Sequence, residues 1–271
     1  MNKKIFPFFM LLISVFIICY TLLKMYNEHF SFQHYFTMFI GIIFLFIGIY
    51  SYLQKPNSIV VQHFFTLMFI IGLAIALSTP SSWNIKPAKE LEVITASFAP
   101  YVLMKFFEHF PSSTKPTFFR QVRMIILFIA IFATLIYFLI GISHHVIVST
   151  IVRPCIVANM VLSLLTCIVL FYLHLQSNSD KIKNQMYLII AGLILSFAPV
   201  IILSLIPDVF FSFSGVPFHY SLSSIIVFPM TLSYLLTKQE VVDFREIFRK
   251  ISFQLLAVIL SLVVFNLLLS I

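Results

Sequence analysis

Apolar positions along this chain come in long unbroken runs. They do not form the one-face stripe of a water-soluble helix or the alternation of a half-buried strand. Nine runs stand out, near residues 5–23, 35–52, 59–77, 91–107, 124–142, 155–175, 186–206, 221–236 and 251–271, each bounded by a short polar or charged segment. A run of about 18 apolar residues is long enough to cross the hydrocarbon core of a bilayer as a helix. A helix also satisfies its own backbone hydrogen bonds where no water can. The pattern predicts an all-α, polytopic integral membrane bundle of about nine transmembrane helices, occupying the whole of 1–271. Lys3 and Lys4 before the first run give it the look of a signal peptide, but "LLKMYNEHF" after it offers no small-residue cleavage site, so it reads as a retained helix.

Composition sharpens this picture. Of the 271 residues 61% are hydrophobic and only 10% charged, against about 45–50% and about 25% in soluble domains. The mean hydropathy is +1.07. The first partner is therefore the lipid bilayer. With 33 Phe and only 6 Gly, the chain is expected to turn Phe toward lipid and to lack close helix crossings between small residues. The net charge of +8 is a topology signal rather than a nucleic-acid footprint. With the N-terminus in the cytoplasm, thirteen of the 17 Lys and Arg fall in inside segments, and only Lys24, Lys86, Lys89 and Arg153 fall outside. Cys19, Cys155 and Cys167 show no metal or disulfide spacing and are expected to be small buried apolar residues.

Nine crossings from a cytoplasmic start put Ile271 at the outer face, in the middle of the run "NLLLSI". The expectation is a fragment or truncated frame whose tenth span and output region are not in this chain. Pro100, Pro199 and Pro229 interrupt spans, where a proline removes a backbone hydrogen bond and kinks the helix. They serve as packing devices or as hinges for a signal.

No catalytic constellation is present: the chain has no phosphate-cradling Gly loop, no HExxH and no CxxC. No cofactor or metal is implied. Acidic residues within the spans are nearly absent, with Glu92 and Glu108 near the ends of the fourth, which argues against a proton-coupled pump. The outer side carries the groups able to recognise something: His144 and His145 in "GISHHVIVST", Phe211, Phe213, Phe218 and His219 before span eight, and Trp83. These form either an interfacial aromatic belt with solvated histidines or a wet aromatic mouth for an amphipathic or lipidated peptide. A histidine-based pH or metal sensor is a third reading. On the inner side, "KFFEHFPSSTKPTFFRQVR" mixes cations and Phe as an interfacial anchor does.

The segment "FPMTLSYLLTKQEVVDFREIFRK", residues 228–250, is the most highly charged. Thr237-x-x-Glu240 and Asp243-x-x-Glu246 have capping-box spacing, and Val241, Phe244, Ile247 and Phe248 recur at helical intervals. This predicts a short helix on the cytoplasmic surface. Together with "LSFAPVIILSLIP", "LEVITASFAPYVLMKFFEHF" and the return "ISFQLLAVI", the segment resembles the membrane half of ComP-type sensor histidine kinases, the competence-pheromone receptors of Gram-positive bacteria. In that family a Phe-Pro or Ile-Pro late in a span is followed a few residues later by an aromatic, then an Asp, an Arg and a return to the membrane. Here these are Phe228 and Pro229, Tyr234, Asp243 and Arg249. The resemblance covers the chain from about Tyr35 onward. It implies a homodimeric receptor in the cell membrane for an extracellular modified peptide pheromone, joined in full-length members to an ATP-dependent kinase. This chain departs in having only "KMYNEHFSFQHY" after the first span, and in lacking the tenth span and the kinase module. A small-molecule permease and a kinase-less decoy that damps an intact sensor are the competing readings.

Overall fold

The computed structural model describes residues 5–27, 32–110, 117–141, 148–177, 180–207 and 221–238. Among these the chain is helical throughout, with no strand. The helices are α1 (Ile5–Asn27), α2 (Phe32–Gln54), α3 (Ile59–Ser82), α4 (Ala88–Phe107) and α5 (Thr117–Ile136), which runs on into a π-helical turn, Tyr137–Gly141. A second π turn, Val148–Val152, leads into α6 (Arg153–Ser177). Helix α7 (Asp180–Val200) ends in a third, Ile201–Leu205, and a 3-10 turn, Leu222–Ile226, precedes α8 (Val227–Lys238). Eight of the nine expected spans thus coincide with helices; the ninth, 251–271, lies outside the described residues. Five stretches are long and apolar enough to cross a membrane: Tyr35–Gln54, Ile59–Ser82, Thr117–Ile140, Thr150–Tyr172 and Lys183–Leu205. Helix α4 carries Lys89, Glu90, Glu92 and Lys105, and the apolar parts of α1 and α8 are shorter.

Helix packing follows chain order. α3 touches α1, α2 and α4; α4 packs on α5 and α6, α6 on α7, and α7 on α8. Directions alternate. Thr37 hydrogen-bonds Thr79 at one end of the α2–α3 pair, and Tyr52 meets Phe65 at the other. Ser81 meets Glu92 at one end of α3–α4, and His63 meets His109 at the other. Val93, Tyr137, Val148 and Val152 cluster where α4 and α6 begin and α5 ends.

The α2–α3 contact corrects one expectation. A Cβ on Gly41 would lie 2.5 Å from the Gly72 carbonyl oxygen and 2.6 Å from the Ala76 Cβ. Six glycines suffice for a close crossing, because two of them meet here with Ala76 one turn away. Phenylalanine is divided between core and lipid. Phe44, Phe64, Phe106, Phe107, Phe110, Phe171 and Phe228 are fully buried, while Phe16, Phe46, Phe128 and Phe132 are exposed. Phe106 packs on Phe64, Phe107 and Phe110, and Phe107 meets Phe171 edge-on at 4.8 Å. Cys167 is buried as expected, but Cys19 is exposed, because α1 contacts little besides α3, and Cys155 near the start of α6 is half-buried.

Helix α5 shows which solvent this bundle needs. Phe119, Val122, Ile126, Ala130 and Ala133 face inward, yet its outer face is Met124, Ile125, Phe128, Ile131, Phe132 and Leu135. An apolar face of that extent is a liability in water and ordinary in lipid. The protein is a membrane-embedded helical bundle.

Candidate functional site

Polar chemistry gathers at the two ends of α4. At the first end, α3 closes with a Schellman motif: the Ile85 N–H donates to the Pro80 carbonyl (3.0 Å) and the Asn84 N–H to the Ser81 carbonyl (2.9 Å). Asn84 takes the left-handed conformation this requires, with φ of 58°, which its short amide side chain tolerates. Buried Ile85 seals the turn. The geometry brings Ser81 against α4, where its hydroxyl donates to Glu92 Oε2 at 2.5 Å. Lys89 donates to Asn84 Oδ1 at 2.5 Å. Arg153, at the start of α6, lies within electrostatic reach of both Glu92 and Lys89. Burial first, and Arg153 second, hold the Lys89 ammonium below its ordinary value. The carboxylates sit at the positive end of the α4 dipole, where the backbone favours them. Glu90 Oε2 is buried with no hydrogen-bond partner among the described residues.

The same end holds every π-helical and 3-10 helical turn among the described residues. Three π turns and one 3-10 turn lie where α5 and α7 finish and where α6 and α8 start. Single π turns inside α-helices recur at functional sites. In α7 the turn follows Pro199 directly, and the Ile206 N–H donates to the Ile201 carbonyl five residues back. Ser204 and Ser221 share a hydrogen bond of 2.8 Å, and the Ser224 hydroxyl donates to the Ser196 carbonyl at 2.8 Å. One turn further, Phe197 meets Phe228 edge-on at 5.2 Å. Beyond that, a Cβ on Gly192 would fall 2.8 Å from the Thr231 side chain.

At the opposite end of α4, Arg123 of α5 forms an ion pair with Glu108, and both side chains are largely buried. His109 donates from Nδ1 to the Lys105 carbonyl at 3.1 Å, a carbonyl having no proton to give. Its ring lies 4.6 Å from that of His63 on α3. The expected interfacial loop 105–123 is accordingly shorter than its sequence implied. Lys105 to Phe107 complete α4, and Thr117 to Arg123 form the first turns of α5, with Phe119 and Val122 buried. Among the described residues no group of three or more His, Cys, Asp or Glu is placed to hold a metal ion.

The residues singled out from sequence divide clearly. Trp83 caps α3 at the polar end and is 56% exposed. Pro100 is buried within α4, Pro199 is half-buried beside the π turn, and Pro229 is buried in α8. Tyr234 points outward, 53% exposed. His144, His145, Phe211, Phe213, Phe218, His219, Asp243 and Arg249 lie outside the described residues, as do the capping positions after Thr237; the Thr237 hydroxyl itself donates to the Ser233 carbonyl within α8. Sequence reading missed Ser81, Glu90, Tyr137, the Glu108–Arg123 pair and the serines of α7 and α8. Their only signal was polar character close to the ends of apolar runs. No protein-family model, curated protein or solved structure matches this chain.

Proposed function

We propose that this chain is the membrane-embedded sensing portion of a ComP-type receptor kinase, reading an amphipathic or lipidated peptide at the extracytoplasmic side of a Gram-positive cell membrane. In this reading the N-terminus is cytoplasmic, the chain crosses nine times, and the end bearing Ser81, Glu92 and Arg153 faces outward. The observation that carries it is the concentration of π and 3-10 turns at that one end, beside the Ser81–Glu92 and Ser204–Ser221 contacts. A receptor without a folded external domain has to read its ligand with helix ends, and helix ends with unpaired polar atoms and non-α geometry are suited to rearrange around one. The positive-inside count supports the orientation, and the resemblance across spans four, seven and eight supports the family.

A permease is the second reading, favoured by Glu90 and Glu92. Carboxylates near the end of a membrane helix are also what substrate pathways use.

Trp83 makes the test direct, since it is the only tryptophan in the chain and stands at the proposed outer end. The protein in lipid vesicles is titrated with concentrated culture supernatant of the source organism. The receptor reading expects a saturable change in Trp83 emission that protease treatment of the supernatant abolishes. No change in emission, together with accumulation of supernatant solutes inside the vesicles, replaces the receptor with the permease.

A further inference from the structure

We propose that the last turn of α7 is a two-state joint, clamped by the Ser204–Ser221 hydrogen bond and pivoting about the Gly192–Thr231 contact. The clamp itself rests only on geometry; its use in signalling rests on the receptor reading above.

A π turn holds one residue more than an α turn, so annealing it to α geometry advances everything beyond by about 1.5 Å and rotates it by about 100°. Pro199 makes this turn the natural place for such a change. It has no N–H to give to the carbonyl four residues back, so the ladder is already open. In the observed state the α7 turn Ile201–Leu205 is underwound, while the facing α8 turn Leu222–Ile226 is overwound. The two irregular turns are held in register by two serine contacts. Ser204 meets Ser221, both nearly buried, and Ser224 reaches the Ser196 carbonyl. Rotation by about 100° would carry Ser204 away from Ser221 and break the first contact.

The other half of the hairpin is built differently. The side chain of Thr231 fills the space that a Gly192 Cβ would take, and Phe197 lies edge-on to Phe228. Close-packed surfaces of this kind have few intermediate arrangements. Motion at the serine end is therefore a pivot about the glycine, and α8 transmits it toward Lys238.

The test uses the full chain in bilayer nanodiscs, with Cys19, Cys155 and Cys167 replaced by Ala. Spin labels are placed at Leu203 and Met230, both exposed. Three proteins are compared by pulsed distance measurement: the labelled parent, Ser204→Ala, and a deletion of Ile202 that removes the extra residue of the π turn. The deletion leaves Leu203 and Ser204 in the register that the π turn already gives them, so it fixes the distance of the clamped state. Ser204→Ala is expected to shift the ratio of the two populations away from that distance about fivefold, which is the equivalent of about 1 kcal/mol for one neutral hydrogen bond. A parent distribution that Ser204→Ala leaves unchanged overturns the joint, and so does a second distance that persists in the deletion, where no π turn is left to rewind. Should the deletion fail to fold, the same comparison is made with Ser221→Ala. It is expected to shift the populations in the same direction, because it too removes the Ser204–Ser221 bond, and an unchanged distribution overturns the joint. A result against the joint leaves the Trp83 titration, and with it the receptor reading, standing.

Discussion

Replacing Arg123 with Met removes one partner from a charge pair that is largely withdrawn from solvent. The Glu108 side chain is 8% exposed and that of Arg123 19%. Arg123 Nε is buried with no hydrogen-bond partner among the described residues, so the guanidinium is already imperfectly satisfied. Stranding a buried charge costs about 3–5 kcal/mol. Because a fifth of the Arg123 side chain still reaches solvent, the lower figure of about 3 kcal/mol applies, or on the order of a hundredfold in the folding equilibrium. Removing both charges is a different perturbation. An apolar or neutral pair of similar volume avoids the desolvation penalty as well as the attraction, so Glu108→Gln with Arg123→Met is expected within about 1 kcal/mol of the parent. The assay is reversible unfolding in mixed detergent micelles, run as a double-mutant cycle. A single Arg123→Met loss below about 1 kcal/mol, or a double variant as unstable as the sum of the singles, refutes the claim that this pair is dry and mutually dependent.

Further predictions follow from the same geometry. Gly41→Ala forces a Cβ to within 2.5 Å of the Gly72 carbonyl oxygen and should destabilise by about 1–3 kcal/mol or more, read as a lower unfolding midpoint; a neutral result means α2 and α3 do not cross there. Gly192→Ala drives its Cβ into Thr231 and should cost a similar amount, with Thr231→Ala returning part of the loss; equal loss with and without Thr231→Ala contradicts that contact. Ser81→Ala removes the donor from Glu92. With the carboxylate only partly buried, about 1 kcal/mol of thermal stability is expected to go, and an unchanged melting point in micelles contradicts the bond.

Most of the helical layout was legible because a membrane helix writes itself as an apolar run. Helix ends ran longer than those runs at several places. Helix α4 starts at Ala88 and α5 at Thr117 because Lys89, Glu90, Arg120 and Arg123 are good helix residues that merely end the apolar stretch. What stayed hidden was the pairing of faces. In a soluble protein polar positions mark the outward side of a helix. On α5 both Ile126, buried, and Phe128, exposed, are apolar, because one faces protein and the other lipid. The Gly41–Gly72 crossing, the Ser81–Glu92 bond and the Glu108–Arg123 pair each join different helices, and no local pattern announces which partner a residue will meet. The π turn after Pro199 was legible only as a kink, since a proline says where a ladder opens and not how the next turn rewinds.

The proposed orientation puts the α3–α4 junction near Ser81 and Glu92 at the outer face and the α2–α3 turn at the inner face. Single cysteines at Trp83 and at Asn57, both exposed, test it in a chain whose three native cysteines are replaced. Intact cells are treated with a membrane-impermeant maleimide, and then again after the membrane is opened. The account predicts that Trp83→Cys labels in intact cells and that Asn57→Cys labels only after opening. The reverse pattern inverts the protein in the membrane, and equal labelling of both sites in intact cells contradicts α3 as a membrane crossing.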